Sequence, residues 1–547
     1  MIFIIVVINF AGHFVFERFD LTADKRYTLS QTSLNIVNEV KEPLYIDIFL
    51  EGEFPGEFKK LQTETQQLLE EFKSENPNII FQFVNPLADE EQREATMQSF
   101  IERGLTPVNV TVNDKGTQTQ EVVFPWAVAT CGNRSVKVPL LKNMMGASTA
   151  EKVVNSVQHL EYAFANAINS VAKAKQKKVV ILNGNGELPD RNIADFIRSV
   201  KDNYYIGPFT LDSVAKSPNE TLKFLKKYDL AVIAKPTEAF SDEEKQVLDQ
   251  FIINGGKTLW LIDPVTMEMD SLFNETGSNL AFPKDLNLND MFFKYGIRLR
   301  PDLIFDLQNT PIALATGEQG SGTQYTQYPW FFSPMIYPIS DHPIVSNLDG
   351  IKFEFTSPIE PLKNDIKKTI LLQSSKYSKL IGTPSEVSLT MVSARPEPKD
   401  FLNSGNFPVA ILLEGKFHSA FENRVLLFKD DLFQIAGKNN KMIVISDGDV
   451  IKNQLDKNGQ PLELGYDKWT NNLYANKEFM MNCVNYLLDD NGLINIRSKE
   501  VDLPLLDKEK VYANYTNSQV ITVAIPIVIL LLFGVAFTIL RKRKYSR

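Results

Sequence analysis

Two periodicities alternate along this chain. Residues 44–50 (LYIDIFL) and 79–84 (IIFQFV) place apolar side chains at every second position, which predicts strands. Residues 57–75 repeat apolar positions at helical spacing, with Leu61, Leu68, Leu69 and Phe72 on one face. Helices are also predicted over 31–40, over 89–103 behind a capping Asp89 and before Gly104, and over 150–172. Strands are predicted over 108–112, 121–129 and 135–140. Strand–helix–strand–helix followed by strands suggests a thioredoxin-like α/β unit over residues 18–172. It has no CxxC, which argues against the redox chemistry of that fold.

A basic run, KAKQKK at 173–178, reads as a linker. Beyond it the strands are short and wholly apolar: VVIL at 179–182, LAVIA at 230–234 and TLWLI at 258–262. Helices are predicted over 191–202 and from Ser241, as cap, to Ile253, where Gly255-Gly256 ends the run. Later strands are expected over 369–373, 408–413 and 442–446, and a helix over 479–488. Apolar strands separated by helices imply a parallel sheet covered on both faces. Residues 179–512 are therefore expected to form a second, doubly wound, amidotransferase-like α/β domain. A long aromatic insertion interrupts it at about 267–361.

Both ends are apolar. Residues 520–540 (VITVAIPIVILLLFGVAFTIL) carry no charge, and the 541–547 tail (RKRKYSR) is basic. A helix of that length spans a bilayer, and basic flanks stay on the cytoplasmic side. Pro526, Gly534 and Ala536 are its small or bending positions, where a membrane partner would pack closely. Residues 1–17 open with MIFIIVVINFAGHFVF, which is short for a span and lacks a basic start. They are expected to be a transmembrane helix truncated at its beginning; a signal peptide and an interfacial segment are the alternatives.

The 547 residues are 44% hydrophobic, enough for two or three cores, and the net charge of −9 argues against nucleic acid as a partner. Cys131 and Cys483 are expected to be buried thiols, and His13, His159, His342 and His418 have no metal-ligand spacing. The Gly255-Gly256-Lys257-Thr258 string imitates a phosphate loop. The first glycine of that pattern is replaced by Phe251, and the stretch runs from helix to strand rather than the reverse. Gly184-Asn185-Gly186 resembles a dinucleotide turn, but Pro189 holds its third glycine position, so a tight turn is expected. The strand end at Ala234-Lys235-Pro236 offers no Ser or Cys nucleophile. Ser446-Asp447-Gly448-Asp449 could hold a cation, though a solvated turn is the commoner use. Tyr325, Tyr328, Trp330 and Tyr337 form a candidate aromatic surface, with packing inside the insertion as the competing use. No catalytic set, cofactor site or metal site is predicted.

Several strings taken together resemble one family. They are Arg18-Phe19-Asp20-Leu21-Thr22, Lys25 through Ser30 (KRYTLS), Phe49-Leu50-Glu51-Gly52 with Phe54-Pro55, and Glu64-Thr65 with Leu68 through Phe72. Asn85-Pro86, Asp263-Pro264, His342-Pro343-Ile344 and Leu505 through Val511 (LLDKEKV) follow in order. They resemble the GldG family, auxiliary components of the ABC transporter associated with gliding motility in Bacteroidetes. The resemblance implies a noncatalytic inner-membrane subunit with periplasmic domains, working with an ABC permease and a separate ATPase. The alternatives are a structural scaffold for envelope or secretion machinery and a divergent amidotransferase-like hydrolase.

Overall fold

Alternation at the start of the chain builds a four-stranded sheet. The computed structural model describes residues 28–498 and 514–545, apart from positions 53, 115–116, 320–321, 402–403 and 429–432. The expected N-terminal span at 1–17 lies outside these residues. The chain separates into two compact units, divided between Lys499 and Glu500.

In the first unit, helix α1 (Gln31–Asn38) precedes β1 (Leu44–Ile48), α2 (Gly56–Glu75), β2 (Ile79–Phe83) and α3 (Arg93–Glu102). A separate hairpin, β3 (Val108–Asp114) and β4 (Thr117–Val123), leads to β5 (Trp126–Cys131), β6 (Arg134–Pro139) and α4 (Thr149–Ala172). The sheet order is β2-β1-β5-β6, with β1 and β2 parallel and the other pairs antiparallel. Leu44, Ile46 and Ile48 are buried while Tyr45 is exposed, the expected alternation. On α2 the buried face is Phe58, Leu61, Leu69 and Phe72, with Thr65 where Leu68 was expected.

Two expectations need correction here. Residues 121–129 are two strands, because Pro125 has no N–H for a ladder and breaks the run between Val123 and Trp126. Asp89 does not cap a helix; its carboxylate accepts the Glu91 N–H in a turn, and α3 begins at Arg93.

The larger sheet contains β7 (Lys178–Asn183), β8 (Tyr205–Thr210), β9 (Leu230–Ala234), β10 (Lys257–Leu261), β11 (Lys367–Gln373), β12 (Pro408–His418) and β13 (Ala436–Ile445). Its order is β11-β12-β13-β10-β9-β7-β8. The five strands from β13 to β8 are parallel, whereas β12 and β11 run antiparallel to their neighbours, so the sheet is mixed. Period-two alternation sends Val180 and Leu182 to one face and Val179 and Ile181 to the other. The first face is covered by α6 (Pro218–Leu225), α7 (Asp242–Ile253) and α8 (Asn289–Tyr295). The second is covered by α5 (Ala194–Asn203) and α9 (Asn476–Leu488). Ser241 and Glu244 form a reciprocal capping box on α7.

Helix α4 is buried almost all round between Leu160 and Ile168, because it is packed on more than one side. Phe164 lies in the core, Glu161 accepts from Ser30 and Ser33 at the start of α1, and Tyr162 accepts from Asn485 on α9. The insertion has a core of its own, in which Trp330, Phe332 and Phe355 pack together. Cys131 and Cys483 are free and buried.

In the second unit, Val520–Lys544 is an apolar helix long enough to cross a membrane, and none of it is buried. It opens with a π turn at Val520–Ala524. The wider turn lies just ahead of Pro526, whose ring cannot donate and would clash in a regular turn.

Candidate functional site

Open α/β sheets place ligands beyond the carboxyl ends of their strands, where strand order reverses. Here that point lies between β7 and β9. The turn after β7 has Gly184 and Gly186 at φ values of 123° and 71°, so neither position suits a side chain. A Cβ on Gly186 would stand 2.1 Å from the Thr237 hydroxyl. The N–H groups of Thr237 and Glu238 both donate to the Asn185 carbonyl at 2.9 Å. The β7 turn therefore lies directly against the β9 turn and fills the crevice with backbone. The glycines are those of a tight turn.

One strand further on, the ends of β9, β10 and β13 carry buried charge. Lys235 follows β9 at φ 57°, an unusual conformation for a side-chain-bearing residue. This is the sharp post-strand position at which doubly wound hydrolases present a nucleophile. Its ammonium lies 2.5 Å from Asp449, 2.8 Å from Glu268 and 3.4 Å from Asp263. Lys452 reaches Asp449 from the other side at 3.1 Å. The Gly448 N–H donates to Asp263, and a Cβ on Gly448 would meet the Lys235 stem at 2.3 Å.

Burial pushes the Lys235 ammonium down, but Asp449, Asp263 and Glu268 outweigh it and hold its pKa well above the ordinary lysine value. Burial pushes Asp449 up, yet Lys235 and Lys452 hold its carboxyl down at about 2. Asp447, buried beside two other carboxylates, is pushed well above the usual range by burial and by the charges of Asp449 and Asp263. A lysine held protonated is neither nucleophile nor base. As arranged, the cluster binds three strand ends to one another.

The cluster corrects the view of residues 446–449 as a solvated turn. Asp447 is fully buried, and its carboxylate accepts the N–H groups of Glu354 and Asp449. Among the described residues no group of three or more His, Cys, Asp or Glu side chains is placed to hold a metal. Lys257 stands at the opposite, amino end of β10, and a Cβ on Gly256 would strike the Phe251 ring at 2.3 Å. That glycine serves packing against the core residue occupying the first position of the phosphate-loop pattern.

The four aromatic candidates do not form one surface. Trp330 is buried at 1% exposure and Tyr328 packs against the insertion core, because alternate residues over 325–330 turn inward and the strand is buried on both faces from Trp330 to Ser333. Tyr325 and Tyr337 are exposed. Tyr325 meets the exposed Trp469, 5.8 Å away between ring centroids, a partner the sequence pattern did not suggest. Pro526, Gly534 and Ala536 all lie on the exposed C-terminal helix.

A family model described as an ABC-type uncharacterized transport system matches residues 176–483, more than half of the chain. The chain belongs to this transport-system family. A second model, described as a domain of unknown function, matches residues 23–130. No curated protein matches. Among solved structures, the mmIFT52 N-terminal domain aligns over 57% of this chain and 99% of its own, at 15% identity and a TM-score of 0.33. That score is too low to establish a shared fold.

The transport-system family assigns the chain an auxiliary role associated with an ABC transporter. Its model covers the larger sheet from just before β7 to the middle of α9, and so includes Lys235, Asp263, Glu268, Asp449 and Lys452.

Proposed function

We propose that the chain is a noncatalytic, membrane-anchored auxiliary subunit of an ABC transporter, working beside a permease and a separate ATPase. The observation that carries this is the helix Val520–Lys544, whose uncharged stretch is long enough to cross a membrane and has no buried residue, in a chain of the transport-system family. Arg541, Lys542, Arg543 and Lys544 follow its apolar stretch directly. They favour a cytoplasmic C-terminus and put the preceding residues on the periplasmic side of an inner membrane.

Two periplasmic domains are part of the proposal, 18–172 and 179–512, joined at 173–178. The order β2-β1-β5-β6 supports a thioredoxin-like first domain, and β8-β7-β9-β10-β13 supports a doubly wound second. The N-terminal strings shared with the GldG family favour gliding motility as the process served. Pro526, Gly534 and Ala536 are offered as the membrane contact, and exposed Tyr325 and Tyr337 as the aromatic surface open to a partner. The hydrolase alternative is disfavoured by the residue at the strand end, since Lys235 occupies the nucleophile position as a caged cation.

Cysteine labelling in intact cells tests the topology. Both native cysteines are buried, so a thiol introduced at exposed Asn458 and one appended after Arg547 report separately. An impermeant reagent is expected to label the first and not the second once the outer membrane is opened. The reverse pattern would reject the proposed orientation.

A further inference from the structure

The outer strands of the two main sheets differ in how they are guarded against pairing with another chain. In β8 the Tyr205 N–H, and just beyond it that of Leu211, bond toward β7, so the outward place at 208 falls to a proline with no N–H to offer. Strand β11 opens with Lys367 and Lys368 and breaks register after Ile370. Strand β6 carries Arg134 and Lys137.

Strand β2 has no such guard. Ile79–Phe83 contains no charge, no proline and no register break. The Leu44 N–H donates to the Asn78 carbonyl at 2.9 Å, and the Val84 N–H to the Ile48 carbonyl at 2.8 Å. Even-numbered positions of β2 therefore face β1, and odd-numbered positions turn their backbone outward. The Ile79 N–H is taken by the Asn76 carbonyl. Among the described residues, the Phe81 and Phe83 N–H groups and the Ile79 and Phe81 carbonyls meet no partner. The side chains along this edge are apolar on both faces. Ile80 is 39% exposed on one, and Phe81 and Phe83 are half-buried on the other with their rings 6.4 Å apart.

We propose that β2 pairs antiparallel with β2 of a second copy of this chain, about a two-fold axis at Phe81. The strand is complementary to itself in that register. Phe81 faces Phe81 and exchanges both of its free backbone bonds, Ile79 faces Phe83, and Ile80 faces Gln82. No charge within the strand meets a like charge. Lys73 of α2 lies over the Phe81 ring at 5.8 Å, and a second ring beside it adds to the same attraction. An extended segment of another protein would meet the same backbone groups; the self-complementary side chains are what favour a second copy. One strand pair is small beside the ~1,200 Å² of a stable interface, so the dimer is expected to dissociate on dilution. The inference goes beyond the transporter reading and holds with or without it.

The test is sedimentation of the full chain in detergent over a wide range of concentration, where a reversible monomer–dimer equilibrium is expected. Ile80→Lys with Gln82→Lys, both at exposed positions, sets lysines opposite lysines and should weaken the dimer more than about tenfold. Mixing that variant with one carrying Ile80→Glu and Gln82→Glu should restore association, which a misfolded variant could not do. Both native cysteines are buried, so Ile80→Cys with Gln82→Cys reports the register. Mild oxidation should join two such chains, and each single substitution should give far less covalent dimer. A monomer at every concentration, a dimer indifferent to the lysine pair, failure of the opposite charges to restore it, or equal cross-linking by the single substitutions would each overturn the proposal.

Discussion

The Arg497 guanidinium lies 2.8 Å from the Glu478 carboxylate, and it joins three stretches of chain far apart in sequence. Arg497 is 1% exposed on its side chain. Its remaining donors reach the carbonyls of Pro343 and Ser346 and the His159 ring, and its plane lies over Tyr162. Lys142 meets Glu478 at 3.2 Å. Helices α4 and α9 are thus fastened through one arginine near the end of the first unit. Burial, with the charges of Arg497 and Lys142, holds the His159 imidazole well below its ordinary pKa.

Arg497→Met is expected to destabilise the chain by about 2–4 kcal/mol, less than a fully buried pair because Glu478 is partly exposed. Burial pushes Glu478 up, but Lys142 and Arg497 hold its carboxyl far below the usual range. Its folded pKa is therefore below its unfolded one. The stabilisation is present above the unfolded value and is lost as pH falls toward the folded value. Denaturant unfolding from neutral to acid pH measures this: the variant should lose less stability on acidification than the wild type. An identical pH slope would show that the pair is not coupled to folding.

Lys235→Met removes the cation from among Asp263, Glu268 and Asp449, and should cost about 3–5 kcal/mol. Asp449 has an ordinary value of 3.8 and is held at about 2 in the fold. Its contribution is complete above the ordinary value and disappears as pH drops to about 2. Adding Asp449→Asn to the lysine variant should recover part of the loss, because one uncompensated charge is gone. Additive losses in that double-mutant cycle would argue that the two groups act independently.

Much of this architecture is readable in the residues. The apolar strands at Leu230–Ala234 and Lys257–Leu261, the Ser241 cap and the long helix ending at Ala172 follow from pattern alone. Strand β8, YIGPFT, escapes because it is half-exposed at the sheet edge and carries glycine and proline. The antiparallel edge escapes because β13 begins in the polar AGKNNK, whose last residue, Lys441, stands opposite Glu414 across the ladder. The cluster is hidden by distance: Lys235 and Asp449 are 214 positions apart and meet only when parallel strands align their ends. Its one local signal is a charged residue immediately after an apolar strand, at Lys235.

Gly256→Ala and Lys257→Ala separate packing from phosphate chemistry. The added methyl meets the Phe251 ring at 2.3 Å, so Gly256→Ala should cost about 1–3 kcal/mol as overpacking. Lys257 is half-buried at the end of a strand, and its removal should change stability by less than about 1 kcal/mol. The purified chain should hydrolyse no ATP in either form. ATP turnover lost specifically in Lys257→Ala would contradict the assignment of this stretch to packing.

The C-terminal helix is predicted to do more than anchor. Apolar side chains have no preference for protein over lipid tails, so specific association depends on close packing. Gly534 has open space around it for that purpose. Replacing 520–540 with an unrelated apolar span of equal length should leave the chain in the membrane while reducing its co-purification with the permease severalfold. Unchanged recovery of the permease would make the helix a tether only.

Quantitative affinity purification of the tagged full chain from native membranes tests the central claim most directly. An auxiliary transporter subunit should bring down an ABC permease and an ATPase subunit together, at fixed ratios that persist through gel filtration. A chain recovered from the membrane fraction with neither subunit, under detergent conditions in which the permease and ATPase stay paired with each other, would contradict it.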